Sequence, residues 1–238
     1  MDKKTIVLIQ AGSPPDEIRL ALGDYPAWFC SALGLSPDDV EVVRVFEGEA
    51  LPSPDPARAA IITGSWAMVS DRHPWSEATA QWIRDAMAME MPLFGVCYGH
   101  HLMAHALGGH VGYHPAGGEI GCHEIQLNDD ALADPLLMSM PARFAAHLTH
   151  MQTVIDVPPG AQVLARSAHD SHQILRYGPQ AISVQFHPEF TPESCAAIVR
   201  YHARAKHEAA EDLDGLLAGV KPAPEATALL SRFVAQAL

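Results

Sequence analysis

The chain is short of positive charge. Fifteen lysines and arginines stand against 28 aspartates and glutamates in 238 residues, a formal net charge of −13 with histidine neutral. Such a surface has little with which to neutralise phosphates, which argues against a broad grip on nucleic acid or an anionic membrane. No apolar run reaches the roughly 18 residues of a membrane span. The stretch Ile6-Val7-Leu8-Ile9 is cut off by Gly12-Ser13-Pro14-Pro15 and is too short for a signal-peptide core. The four cysteines, Cys30, Cys97, Cys122 and Cys195, form no C-x-x-C pair. They do not read as a disulfide scaffold, and a reducing, cytoplasmic compartment is expected. Also missing are the G-x-x-x-x-G-K-[ST] and G-x-G-x-x-G loops, so ATP chemistry is not expected and no cofactor is called for.

What is present suits a folded core: 48% hydrophobic and 18% charged residues. Apolar, β-branched runs alternate with helical patterns, which predicts an α/β fold with a largely parallel sheet. Buried strands are expected near Thr5–Ile9, Val40–Phe46, Ala59–Thr63 and Pro92–Val96, with helices near Tyr25–Leu33 and Ser76–Met89. After Gly109 the runs shorten and alternate, at Ile120–Leu127, Phe144–Thr149, Gln162–Arg166, Gln173–Tyr177 and Ala181–Phe186. These predict antiparallel ribbons extending or flanking the sheet. Thr191-Pro192-Glu193 opens a further helix, Thr191 capping and Pro192 at the first helical position. Two amphipathic helices close the chain on either side of Pro222-Ala223-Pro224. The expected division is a main α/β unit over residues 1–206 and a helical extension over 207–238 that packs on it, with a dimerisation or partner surface as the alternative for its apolar faces.

The stretch Pro92-Leu93-Phe94-Gly95-Val96-Cys97-Tyr98-Gly99-His100-His101 is the most informative. A buried strand runs into G-x-C-x-G and then a helix, the pattern of a nucleophile elbow with sulfur in place of the serine oxygen. Flanking glycines relieve crowding at a sharp turn, and the positive end of a helix dipole favours a thiolate. The competing reading is that Cys97 is a small buried hydrophobe. Downstream, Val184-Gln185-Phe186-His187-Pro188-Glu189 ends the last expected strand. A cysteine nucleophile needs a group that accepts its proton and returns it to the leaving amine, and histidine titrates in that range. Glu189 is suited to orient the imidazole of His187 and stabilise its cation.

Together, Gly95–His100, the helix running into Gly108-Gly109, and Gln185–Glu189 resemble the class I glutamine amidotransferases, in the form of a GMP-synthetase-like glutaminase domain standing alone. The resemblance spans roughly residues 4–200 in motif order and spacing. It implies a flavodoxin-like three-layer sandwich whose mixed, mostly parallel central sheet carries small antiparallel additions. It also implies that Cys97 attacks the amide of glutamine, releasing ammonia and leaving a glutamyl thioester that water hydrolyses, that His187 serves as base and acid, and that Glu189 orients His187. By the same resemblance Gly64, Ser65 and Tyr98 form the oxyanion hole, with Ser65 where a second glycine is usual. His101 stands where many members carry glutamine; histidine is shorter, rigid and pH-sensitive, which alters the expected grip on free glutamine. The segment His147–Gln152 resembles the loop that contacts the amino-acid end of glutamine, which adds His150 and Gln152 to His101 as substrate-binding positions.

Three functions follow as alternatives. The first is a glutaminase that supplies ammonia to a synthetase partner, since the S-G-G-x-D-S signature of a fused synthetase domain is absent. The second is a γ-glutamyl peptidase or hydrolase on the same scaffold, and the third a catalytically silent binding module. A homo-oligomer is left open. Although there are 14 histidines, with His101 and His105 at metal-ligand spacing, no H-E-x-x-H and no cysteine pair supports a site, and no metal is expected.

Overall fold

A computed structural model describes residues 5–206 and 210–238. Residues 1–4 and 207–209, at the edges of the two expected segments, lie outside the described residues.

The chain begins with β1 (Ile6–Gln10), α1 (Asp16–Leu22), α2 (Tyr25–Leu33), β2 (Val40–Arg44) and β3 (Ala59–Ile62). It continues through α3 (Pro74–Ala88), β4 (Leu93–Val96) and α4 (Tyr98–Ala106). The strands β5 (His110–Tyr113), β6 (Glu119–Leu127), β7 (Arg143–His150), β8 (Gln152–Asp156), β9 (Gln162–Arg166), β10 (Ile174–Gly178) and β11 (Ala181–Val184) follow. Helices α5 (Pro192–Lys206), α6 (Ala210–Gly219) and α7 (Pro224–Ala237) complete it. Nine strands form one sheet in the order β2-β1-β3-β4-β11-β10-β9-β6-β7. The first five are mutually parallel, in the flavodoxin order with β11 as fifth strand, and the rest extend the sheet antiparallel.

Successive residues of β1 serve opposite faces, which explains its unbroken apolar run. Ile6 and Leu8 join one core with Phe29, Phe94 and Ile198, while Val7 and Ile9 join the other with Ile83, Leu102 and Met103. Helix α7 belongs to the first core: Leu229 and Leu230 are fully buried, and Phe233 meets Phe94 with ring centroids 5.1 Å apart. Leu213, Leu216 and Leu217 of α6 pack against the same cluster.

Helix α2 and strand β9 fall on their expected residues. Helix α3 starts at Pro74 rather than Ser76 because Pro74 takes the first helical position, where no N–H is needed. Helix α1 was not expected: Pro14-Pro15 read as a break, yet Pro15 sits just outside the first turn, where proline is tolerated. Strands β5 and β8 were not expected either. They form a separate antiparallel ribbon whose register shifts between His110 and Val111, which blurs the two-residue period.

The long excursion from α4 through β10 returns the chain beside β4. Strands β4 and β11 pair in parallel, with Val96 opposite Val184, and the Cys97 N–H donates to the Val184 carbonyl at 2.9 Å. Two motifs far apart in sequence therefore leave the carboxyl edge of the sheet side by side, where open α/β sheets bind ligands.

Candidate active site

Cys97 joins β4 to α4 with φ 50° and ψ −98°, a strained geometry for a side chain with a Cβ. The flanking glycines make the turn sterically feasible. A methyl on Gly95 would lie 2.7 Å from the Gly99 carbonyl and from the Met103 sulfur, and one on Gly99 would collide with the Ile62 carbonyl. The Cys97 thiol points to the Thr149 carbonyl at 3.6 Å.

His187 follows β11 closely, and its N–H donates to the His147 carbonyl at 2.8 Å. Its Nδ1 lies 2.7 Å from Glu189 Oε1, with both side chains buried, and its ring stacks on Phe190 at 3.9 Å. Its Nε2 is buried without a hydrogen-bond partner among the described residues. Burial alone would lower the pKa of His187; the negative charge of Glu189 and of the Cys97 sulfur outweighs it and raises the value to about 10. Gly64 marks how close the two motifs come: a methyl there would sit 2.8 Å from His187 Cε1 and 3.7 Å from Cys97 Cβ.

Around this pair the three expected oxyanion positions converge. Ser65 lines the cleft, and its hydroxyl accepts from the Ala67 N–H at 3.1 Å. The Tyr98 side chain turns away, its hydroxyl donating to Ser76 Oγ at 2.7 Å. What Tyr98 presents is its amide, the first in α4, for which a helix supplies no carbonyl. Gly64, Ser65 and Tyr98 thus bring main chain close to the Cys97–His187 pair.

His101, His150 and Gln152 line the same cleft. His101 Nε2 lies 2.6 Å from Gln185 Oε1. Burial, with the neighbouring His150 adding to it, lowers the His101 pKa to about 4. These surroundings keep the His101 ring neutral at neutral pH. His150 is bound through both nitrogens, Nδ1 to the Gln152 carbonyl at 2.9 Å and Nε2 to Glu119 Oε2 at 3.2 Å. Glu119 also accepts from Ser167 Oγ at 3.0 Å and Gln173 Nε2 at 3.1 Å. These hydrogen bonds overcome the burial that would raise its pKa, and the carboxyl titrates below its ordinary range. Gln152 Nε2 donates to Ser70 Oγ at 2.6 Å, which leaves Gln152 Oε1 buried and unpartnered among the described residues.

Sequence reasoning did not single out Tyr25, Trp66, Thr149, Glu119, Gln185 or His202. Gln185 and Thr149 lie inside segments that were read, Val184–Glu189 and His147–Gln152, and Trp66 directly follows Gly64-Ser65; nothing local marks the others. Tyr25 heads α2, is buried and lines the cleft beside Cys97. Burial and the charges of Cys97 and Glu189 push its phenol well above the usual tyrosine range. His105 and three further histidines go separate ways: His105 to Glu77 at 3.2 Å, His110 to Asp156 at 3.4 Å, His114 against His169, and His123 to the Ile120 carbonyl at 2.8 Å.

A thiol on a strand-to-helix elbow, beside a histidine delivered by the neighbouring parallel strand, joins the parts that cysteine-nucleophile chemistry needs. A family model described as Glutamine amidotransferase class-I matches residues 39–201, and the chain belongs to that family. It is 30% identical over 142 residues to a glutamine-hydrolyzing GMP synthase of Thermomicrobium roseum, covering 60% of this chain but a quarter (25%) of that protein's length. It is 25% identical over 202 residues to Gamma-glutamyl peptidase 5 of Arabidopsis thaliana, covering 83% of this chain and 80% of the relative. A crystal structure of a glutamine amidotransferase from Thermotoga maritima shares the fold, with TM-score 0.74, 20% identity and coverage of 98% and 97%. No described helix is long and apolar enough to cross a membrane.

Proposed function

We propose that the chain hydrolyses the amide of a γ-glutamyl group, with glutamine the simplest substrate, through a thioester on Cys97. His187 takes the thiol proton at Nε2, and Cys97 Sγ attacks the amide carbon. The carbonyl electrons move onto oxygen, held by main-chain N–H groups of Gly64 or Ser65 and of Tyr98. His187 returns the proton to the amide nitrogen, the C–N bond breaks, and ammonia or a larger amine leaves a glutamyl thioester. Water then attacks the thioester, giving its proton to His187. As the C–S bond breaks, His187 reprotonates the sulfur and the glutamyl product leaves as its carboxylic acid, losing its second proton to solvent. Glu189 holds the imidazole in orientation and stabilises its cation.

The observation that carries this reading is the buried His187 ring, with one nitrogen on Glu189 and the other unpartnered, beside the elbow cysteine. On the substrate side, the unpartnered Gln152 Oε1 suits the α-ammonium of the γ-glutamyl group, and His101 and His150 complete that end of the cleft. A γ-glutamyl peptidase is the second reading, favoured because His101 is tied to Gln185. In the first, ammonia passes to a synthetase partner. Residues 207–238 serve as an extension of the catalytic unit, and the free cysteines suit the reducing cytoplasm.

Ammonia and amine release from glutamine and a panel of γ-glutamyl amides tests this, with and without a glutamine-mimicking electrophile. Turnover of glutamine supports the glutaminase; turnover of larger amides alone supports the peptidase. Silence with every amide, together with an unlabelled Cys97, refutes both and leaves a binding module.

A further inference from the structure

We propose that Tyr25, Trp66 and His202 form the subsite for the leaving amine, and that the amine it accepts is aromatic or apolar. The inference rests on the Cys97–His187 chemistry above and adds the class of γ-glutamyl amide.

The reaction fixes where the leaving group lies. The departing nitrogen takes its proton from His187 Nε2, so its substituent extends on the His187 side of the sulfur, away from the γ-glutamyl positions at His101 and Gln152. Tyr25, Trp66 and His202 line the cleft together with Cys97 and His187. The Trp66 ring stacks on His202 with centroids 4.9 Å apart and planes 20° from parallel, and meets Tyr201 edge-on at 5.2 Å. His202 Nε2 is anchored to Thr149 Oγ1 at 3.0 Å, and the Thr149 carbonyl is the group that faces the Cys97 thiol. An aromatic wall is thus tied to the backbone that frames the nucleophile.

The chemistry of that wall selects. Among the described residues lining the cleft there is no lysine, arginine, aspartate or glutamate, and Met68 and Met151 add soft, adaptable surface. The charge of His187 there is already matched by Glu189 and Cys97, so desolvating a leaving amine with its own carboxylate is costly, whereas a ring gains stacking and apolar burial. Ammonia from glutamine would leave the half-buried Trp66 face unused.

The test measures kcat/KM for γ-glutamyl methylamide, γ-glutamyl benzylamide and γ-glutamylglycine, with the wild type, Trp66→Ala and Trp66→Phe. Thermal melts confirm that each variant is folded. The wild type should prefer benzylamide over methylamide by about tenfold, mainly through KM, the size expected of one ring contact. γ-Glutamylglycine should fall below both. Trp66→Ala should collapse the benzylamide-to-methylamide ratio towards one, and Trp66→Phe should keep most of it. A wild-type ratio near one, or a Trp66→Ala variant that slows both amides by the same factor, overturns the subsite while glutamine turnover leaves the thioester chemistry standing. Silence with all of these substrates and with glutamine, with Cys97 unlabelled by the electrophile, brings down both.

Discussion

His187 and His101 are both buried in one cleft, 2% and 4% exposed, yet they titrate in opposite directions, to about 10 and to about 4. Burial disfavours the cation in each. The difference lies in what they face: His187 has a carboxylate and a sulfur, whereas His101 has a second histidine, a neutral amide and the charge of Asp170, which together do not offset its burial. One wall of the cleft therefore favours a protonated imidazole and the other a neutral one. The pH dependence of stability separates them. His187, raised from 6.5 to about 10, contributes stability that is complete below about pH 6.5 and lost as pH climbs through 10. His101, lowered from 6.5 to about 4, contributes stability that is complete above about pH 6.5 and lost as pH falls through 4.

Changes on the proton-holding wall should be the most damaging. Cys97→Ala is expected to lower kcat by at least about 10³-fold with little change in melting temperature, and His187→Ala by nearly as much. Steady-state rates with the best amide of the panel check both, and retention of more than a tenth of the rate would break the assignment. Glu189→Gln should be milder, about 10- to 10²-fold, and should also move the alkaline limb of the pH–rate profile down by at least about one unit, because the charge raising the His187 pKa is gone. A limb that stays in place would show that Glu189 does not set that proton's affinity. His101→Gln should have the smallest effect on kcat. It should lower the KM for glutamine, if histidine at 101 is what weakens binding, and remove the loss of melting temperature between pH 6.5 and 4 attributed to His101. An unchanged or higher KM discards the first claim, and an unchanged acid limb the second.

The same division explains what the amino-acid sequence disclosed. Each half of the chemistry lies in one contiguous motif, Gly95–His100 and Gln185–Glu189, whose glycines, strand run and polar triplet can be read locally. Helix α2 was equally legible, between Asp24, which caps its first N–H at 2.7 Å, and the left-handed Gly34. The neutral wall was not. The titration of His101 depends on His150, from β7, and His150 is held by Glu119 across the β6–β7 pairing. Tyr25, Trp66 and His202 come from three separate elements, and no spacing in the sequence announces that they meet. Their proximity follows from β11 returning to β4 and from where α2 and α5 then lie on the sheet.

The central claim is that Cys97 carries the acyl group between the two half-reactions. Acid quenching during steady-state turnover of glutamine or the best γ-glutamyl amide, followed by peptide mass spectrometry, tests it directly. The account predicts a glutamyl adduct confined to the Cys97 peptide and absent from Cys97→Ala. Turnover that continues in Cys97→Ala, or an adduct on another residue of the active enzyme, would contradict it.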